Sequence, residues 1–397
     1  MILAILLNEI CERYTFYSIK SLLLFYIETI HGYTSSDSKL VYHLFLVFCY
    51  LTPIAGATIA DSYWGKYKTI LYLSCVYTVG VFLTVLGAIP GFGSMATIFM
   101  IFGLIFIAIG MGGIKPCISS FGADQYEGDP RAEEKRTYFF TMFYIIINIG
   151  SLISSTFAPI LRTKDEVCNK VDFLKNKSNP PVKDSCYSLA FFIPLCMLVM
   201  SVIFFVSKQK LYYKKEPSGD NILFKFCSLL RHAWFSKKND KDDHWLDTGI
   251  PKFGKKFVTE IKLALNIMLV LFPLCAFWFI FDQKGSRWMI QASQMKCYFD
   301  FPIFGKKHFL PEQVLSLNPL FIVGFSPVIK FYIIPALEKV TKTTFTPFGI
   351  IASGITLVGF SQLSIALFEI TVSQEVGQLP GPGLVFHQKY RVSISIS

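Results

Sequence analysis

The run Asn8-Glu9-Ile10-Cys11-Glu12-Arg13 sets two carboxylates and a guanidinium inside an otherwise apolar stretch. Glu9 and Arg13 are four apart, so a helix puts them on one face with Glu12 beside them. Phe16, Tyr17 and Lys20 continue that face at helical spacing. Such a stripe is untenable against lipid; it lines a water-filled cavity or packs against other polar groups. Lys115 is a second ionisable group in apolar surroundings, within Gly110-Met111-Gly112-Gly113-Ile114-Lys115-Pro116. The glycines permit close helix approach, and Pro116 frees a carbonyl and kinks the helix. A buried Lys needs an acidic partner, and Glu9 or Glu12 is the natural candidate. Arg13 and Lys115 together suit an anion. His43, in Tyr42-His43-Leu44-Phe45, is either a hydrogen-bonded core residue or a proton carrier, since only His titrates unperturbed near neutrality. Tyr26, Tyr50, Tyr144, Asn148 and Trp278 are candidates to line an amphipathic pocket, and Asn148, in an apolar run, must find a partner.

The elements that position these groups follow from composition. A soluble chain carries about 25% charged residues. This one has 16%, with 53% hydrophobic residues and 40 Phe among 397. That excludes a disordered chain, a coiled coil, a disulfide miniprotein and an ordinary cytosolic enzyme. No metal cluster, phosphate loop or nucleophile elbow is visible, so no enzyme is expected. The net charge of +11 lies between apolar runs, which points to lipid head groups and not to nucleic acid.

A bilayer core of about 30 Å takes about 20 helical residues to cross. Nine apolar runs of that length are expected to span, near 1–30, 40–61, 67–89, 95–119, 137–161, 187–207, 262–283, 314–337 and 346–371. The first meets Glu9, Glu12 and Arg13 where a signal peptide would have a small-residue cleavage site, so it is read as a span. Lys66, Lys68, Arg131, Lys135, Arg136, a dense set from Lys208 to Lys262, Lys339 and Lys342 fall on one side of the membrane. The positive-inside rule makes that side, and the N-terminus, cytoplasmic, and puts the tail 372–397 outside. Cys168 and Cys186 then share an exterior loop, where oxidising conditions allow a disulfide. The same loop carries a glycosylation acceptor, Asn176-Lys177-Ser178.

These residues together resemble the proton-coupled oligopeptide transporters, a branch of the major facilitator superfamily. Asn8 through Tyr14 resembles that family's ExxER motif. Gly56-Ala57, Ala60-Asp61, Gly65-Lys66 and Thr69 resemble its signature between helices 2 and 3. Gly112 through Cys117, Phe121-Gly122 and Asp124-Gln125 resemble helix 4, and Phe143 through Leu152 the signature on helix 5. His244-Trp245-Leu246-Asp247, Phe277-Trp278, Phe281-Asp282-Gln283 and Gly285-Ser286-Arg287-Trp288 resemble the animal di- and tripeptide carriers of intestine and kidney. The resemblance runs in order along nearly the whole chain.

It implies an all-α polytopic protein of the plasma membrane that moves di- and tripeptides with protons by alternating access. The expected layout is an N-terminal six-helix bundle, 1–207, a cytoplasmic linker, 208–261, and helices 7–9 of a partial C-terminal bundle, 262–371. By position, Arg13, Tyr17, Tyr26, Lys115, Asn148, Trp278 and Asn318 would face the peptide. Glu9 and Glu12 would couple protonation to release of Lys115 or Arg13. His43 would be the animal proton site, with Tyr50, Tyr144 and Asp282 in support. Protons are the coupling ion, and no cofactor is expected. A peptide carries both signs of charge, so its site needs both, and a proton that neutralises one member of an ion pair can bias a bistable bundle.

The chain departs from the pattern in several places. The family has twelve core helices, and nine are found. After helix 9 come Leu379-Pro380-Gly381-Pro382-Gly383 and an alternating tail to Ser397, expected to be a strand that begins an extracellular domain. Asn266 and Lys330 stand where animal members pair an Arg with an Asp, Phe16 where an aromatic hydroxyl is usual, and Ser18 where Gly is usual. A truncated, non-transporting form with an interaction or regulatory role is the alternative expectation.

Overall fold

A computed structural model describes residues 1–89, 91–163, 186–217, 219–236, 244–294, 298–301, 305–308 and 310–377. Long helices dominate: α1 (Ile2–His31), α2 (Ser35–Ile59), α3 (Lys66–Ala88), α4 (Ser94–Asp124), α5 (Ala132–Arg162) and α6 (Tyr187–Ser207). A linker helix, α7 (Ile222–Phe235), follows, and then α8 (Lys255–Leu271), α9 (Leu274–Phe281) and α10 (Arg287–Gln294). A two-stranded antiparallel hairpin, β1 (Tyr298–Phe301) with β2 (Gly305–His308), leads to α11 (Val314–Val328), α12 (Ile334–Thr341) and α13 (Pro347–Gly377). Among the described residues, seven helical segments are long and apolar enough to cross a membrane, or eight if the bent pair Lys255–Leu271 and Leu274–Ser293 is one span. α1 is long enough too but carries its ionisable stripe; with it, the spans expected from the sequence are all present.

The seventh span, expected near 262–283, is a bent pair of helices. It bends by 52° at Phe272-Pro273. Proline lacks the N–H that would continue the ladder, and its ring clashes with the preceding turn. The linker is also not bare: in α7, Asn221 caps the first turn by accepting from Phe224 N–H at 2.9 Å.

The core of the first six helices is built around α1, which packs on α5 and α6, while α4 packs on α2 and α3. Lipid tails offer no hydrophobic drive between helices, so close approach and polar contacts hold them. α2 and α4 cross at Gly56 and Gly113, where a Cβ on Gly56 would sit 2.3 Å from the Gly113 Cα. Thr52 Oγ1 donates across the same crossing to the Ala108 carbonyl at 2.7 Å. Ser18, the departure from Gly, has a physical reason: its hydroxyl meets Ser154 Oγ at 2.9 Å, and Ser154 Oγ donates to the Tyr14 carbonyl at 2.8 Å. Because the atom facing Gly56 is backbone, it cannot rotate away. Gly56→Val should therefore destabilise the bundle by about 1–3 kcal/mol. Thermal unfolding of the purified chain in detergent measures it, and an unchanged midpoint would contradict the packed crossing.

Candidate functional site

α1, α2, α4 and α5 on one side, and α9, the 3-10 turn Asp282–Gly285 and α11 on the other, enclose a cavity of about 990 Å³. The α1 stripe faces it as its spacing requires: Arg13, Phe16, Tyr17 and Lys20 all line the wall. Glu9 and Glu12 lie behind Arg13 and are almost completely buried. Arg13 Nε is 3.0 Å from Glu9 Oε1 and is in contact with Glu12 Oε2 as well. Thus one guanidinium serves two carboxylates. Glu12 Oε1 is buried with no hydrogen-bond partner among the described residues. Phe16, where the family pattern has a hydroxyl, presents its ring 6.0 Å from the Arg13 guanidinium carbon.

Lys115 corrects the expected pairing. Among the described residues no carboxylate lies within ion-pair distance of it, because Arg13 occupies both Glu9 and Glu12. Its ammonium lies 5.1 Å from the Tyr50 ring centroid, and both residues line the cavity. A cation over an aromatic face is attracted by the ring quadrupole, though more weakly than by an anion. Asn148 also lines the cavity and satisfies its amide by donating to the Tyr144 carbonyl at 2.8 Å. Tyr144, Trp278 and Asn318 complete the expected lining.

Tyr26 does not reach the cavity. It is fully buried, with its ring 5.4 Å from Tyr187 and 5.0 Å from Phe191 on α6. It lies two helical turns beyond Lys20, where α1 is enclosed by its neighbours.

Several cross-cavity partners were not foreseen. Lys20 Nζ donates to Asp282 Oδ1 at 3.0 Å, both largely buried. His43 Nε2 and Ser286 Oγ are 3.1 Å apart. Arg162, at the end of α5, meets Glu312 at 2.6 Å just before α11, and Gln313 Nε2 donates to the Thr156 carbonyl at 3.1 Å. A Cβ on Gly285 would come within 1.9 Å of the Tyr42 hydroxyl, so only glycine allows this approach. All these contacts join the two helix groups near the α1 and α5 ends remote from the N-terminus. Asp282 and Glu312 are isolated acids beside apolar runs, which is the signal that each needed a cation.

Cys186 caps α6 and is disulfide-bonded, and its N–H donates to the Arg162 carbonyl at 2.9 Å. Its expected partner Cys168 and the acceptor Asn176 lie outside the described residues, as does the tail beyond 377.

With this geometry, comparison with known proteins decides the family. Residues 67–396 match the model of the POT family. The chain belongs to that family. POT family relatives include solute carrier family 15 member 2 of Danio rerio, 37% identical over 95% of this chain and 50% of its own length. The Homo sapiens protein of the same name is 36% identical over 97% of the chain and 51% of its own. Peptide transporter family 1 of Drosophila melanogaster is 38% identical over 84% of the chain and 43% of its own. The chain spans about half the length of these curated relatives. Among solved structures, the POT family transporter PepTSo matches with a TM-score of 0.75 at 25% identity, covering 94% of this chain and 76% of that one. The fold is therefore that of POT transporters, in the major facilitator class, with six helices followed by the broken span and two more.

Proposed function

We propose that this chain carries di- and tripeptides across the plasma membrane together with protons, by alternating access. The observation that carries this reading is the cavity itself. Its volume, about 990 Å³, lies at the upper end of the range of about 300–1,000 Å³ common for small-ligand sites. A peptide carboxylate suits Lys115, which has no carboxylate within ion-pair distance among the described residues, with Arg13 beside it. Asn148 and Asn318 suit backbone groups. The aromatic walls of Tyr17, Tyr50, Tyr144 and Trp278 accept varied side chains. The relatives' names, among them a peptide transporter family, support the same substrate class.

Proton coupling has a physical basis in the Glu9–Arg13–Glu12 cluster. Two buried carboxylates on one guanidinium leave one negative charge in excess, and a proton on either carboxyl removes it. Protonation would then loosen the hold on Arg13, and a peptide carboxylate could take part of its charge. The α8 side of the second helix group makes no extensive contact with α1–α6, so the cavity would open towards the end that the Lys and Arg bias makes cytoplasmic. The contacts at the opposite end, Lys20–Asp282, His43–Ser286 and Arg162–Glu312, would be the ones to release.

The test is uptake of a labelled hydrolysis-resistant dipeptide by cells expressing the chain, at external pH about 5.5 and about 7.5, either side of the usual histidine range. Uptake should rise at the acid pH and fall at least tenfold in Lys115→Ala, which removes the carboxylate anchor. A second reading, a chain that binds but does not transport, is favoured by one observation: the most apolar windows of the last two spans bury none of their residues. Surface expression with dipeptide binding and no uptake would select it.

A further inference from the structure

We propose that Lys284 gives the cavity a second anion anchor, so that the chain prefers peptides bearing an acidic side chain over neutral ones. This rests on the peptide reading above and narrows it to a substrate class.

Four cations line the cavity: Arg13, Lys20, Lys115 and Lys284. Arg13 is held by Glu9 and Glu12, and Lys20 by Asp282. Among the described residues, Lys115 and Lys284 have no carboxylate within ion-pair distance and no hydrogen-bond acceptor. The Asp282 carboxylate, two residues from Lys284, is directed to Lys20 instead. Each of the two ammonium groups rests over an aromatic ring, Lys115 at 5.1 Å from Tyr50 and Lys284 at 3.3 Å from Phe281. A ring face offers attraction but accepts no full hydrogen bond, so three donors on each ammonium remain available. Lys20 lies within Coulombic range of both; at Lys284 Asp282 offsets part of its repulsion, and at Lys115 Arg13 adds repulsion while Glu12 attracts.

The two cations sit on opposite walls. Lys115 comes from α4 and Lys284 from the 3-10 turn after α9. A neutral dipeptide brings one carboxylate and can compensate one of them. A peptide with a Glu or Asp side chain brings two and can compensate both, spanning the cavity as it does so. Charge-assisted hydrogen bonds in a site of low dielectric are the strong ones, so the gain should be about tenfold in affinity.

The test uses the full chain in lipid nanodiscs with a labelled hydrolysis-resistant dipeptide as probe, displaced by Ala-Glu or by Ala-Gln. These competitors have nearly the same shape and differ in charge at neutral pH. The readout is the ratio of their inhibition constants within each variant. In the wild type Ala-Glu should bind about tenfold more tightly. Lys284→Gln should bring the ratio close to one, Lys284→Arg should keep it, and Lys284→Glu should favour Ala-Lys over Ala-Gln. A wild-type ratio near one, or a ratio that survives Lys284→Gln, overturns the proposal while leaving the peptide reading intact. No displacement of the probe by any peptide would overturn both.

Discussion

Arg13→Leu should cost the chain about 3–5 kcal/mol and leave little folded protein. The residue is 4% exposed, and its two partners, Glu9 and Glu12, are 2% and 1% exposed. Removing the guanidinium strands two carboxylates 3 residues apart in the centre of the six-helix bundle. Among the described residues neither has another cation within ion-pair distance, and Lys20 is paired with Asp282. Breaking a buried pair by deleting one partner is far worse than deleting the whole network, because the uncompensated charge remains. A domain is stable by only about 5–15 kcal/mol, so the loss is a large fraction of the total. The neutralised combination Arg13→Leu with Glu9→Gln and Glu12→Gln should therefore recover much of the stability while abolishing the proposed proton coupling. Thermal unfolding and size-exclusion profiles of the three forms, wild type, single and triple, separate these outcomes. A single variant as stable as the wild type would show that the cluster is solvated and that its charges are not compensated by Arg13.

The contrast between α1 and α9–α11 shows what the sequence could convey. Spans are legible because a bilayer demands a run of apolar residues of fixed length, and every expected span has its helix. The α1 stripe was legible because Glu9, Arg13, Phe16, Tyr17 and Lys20 follow helical spacing within one element. Partnerships across the cavity were not. Lys20 and Asp282 are 262 residues apart, and periodicity says nothing about which helices face each other. The assignment of Glu9 or Glu12 to Lys115 failed for a different reason: Arg13, on the same helix, is nearer to both. Tyr26 was placed in the cavity by resemblance, but at its level α6 supplies Tyr187 and Phe191 and closes α1 off. The bend at Phe272-Pro273 was marked by its proline, which hydropathy averaging hides.

Asp282→Ala should release the closed end of the cavity. Lys20 is 5% exposed and has Asp282 as its ion-pair partner, so the truncation leaves a buried ammonium uncompensated as long as that end stays shut. Opening hydrates it. The difference, about 2–4 kcal/mol, acts directly on the equilibrium between closed and open ends. About 3 kcal/mol corresponds to a shift in population of roughly 150-fold, enough to move a mostly closed ensemble to a mostly open one. Two neighbouring contacts resist: the His43–Ser286 hydrogen bond and the Arg162–Glu312 pair at 2.6 Å. They keep the ends from separating in the wild type but make no contact with Lys20, so they do not remove its penalty. Spin labels at Ser36 on α2 and Ser293 on α10, in a background with the exposed cysteines replaced, would report the separation of these ends. The distance distribution should lengthen in Asp282→Ala. The swapped pair Lys20→Asp with Asp282→Lys should shorten it again, since the attraction is restored with the signs exchanged. If the distribution is unchanged in Asp282→Ala, the pair is not what holds this end closed, and the Arg162–Glu312 bridge and the His43–Ser286 hydrogen bond suffice.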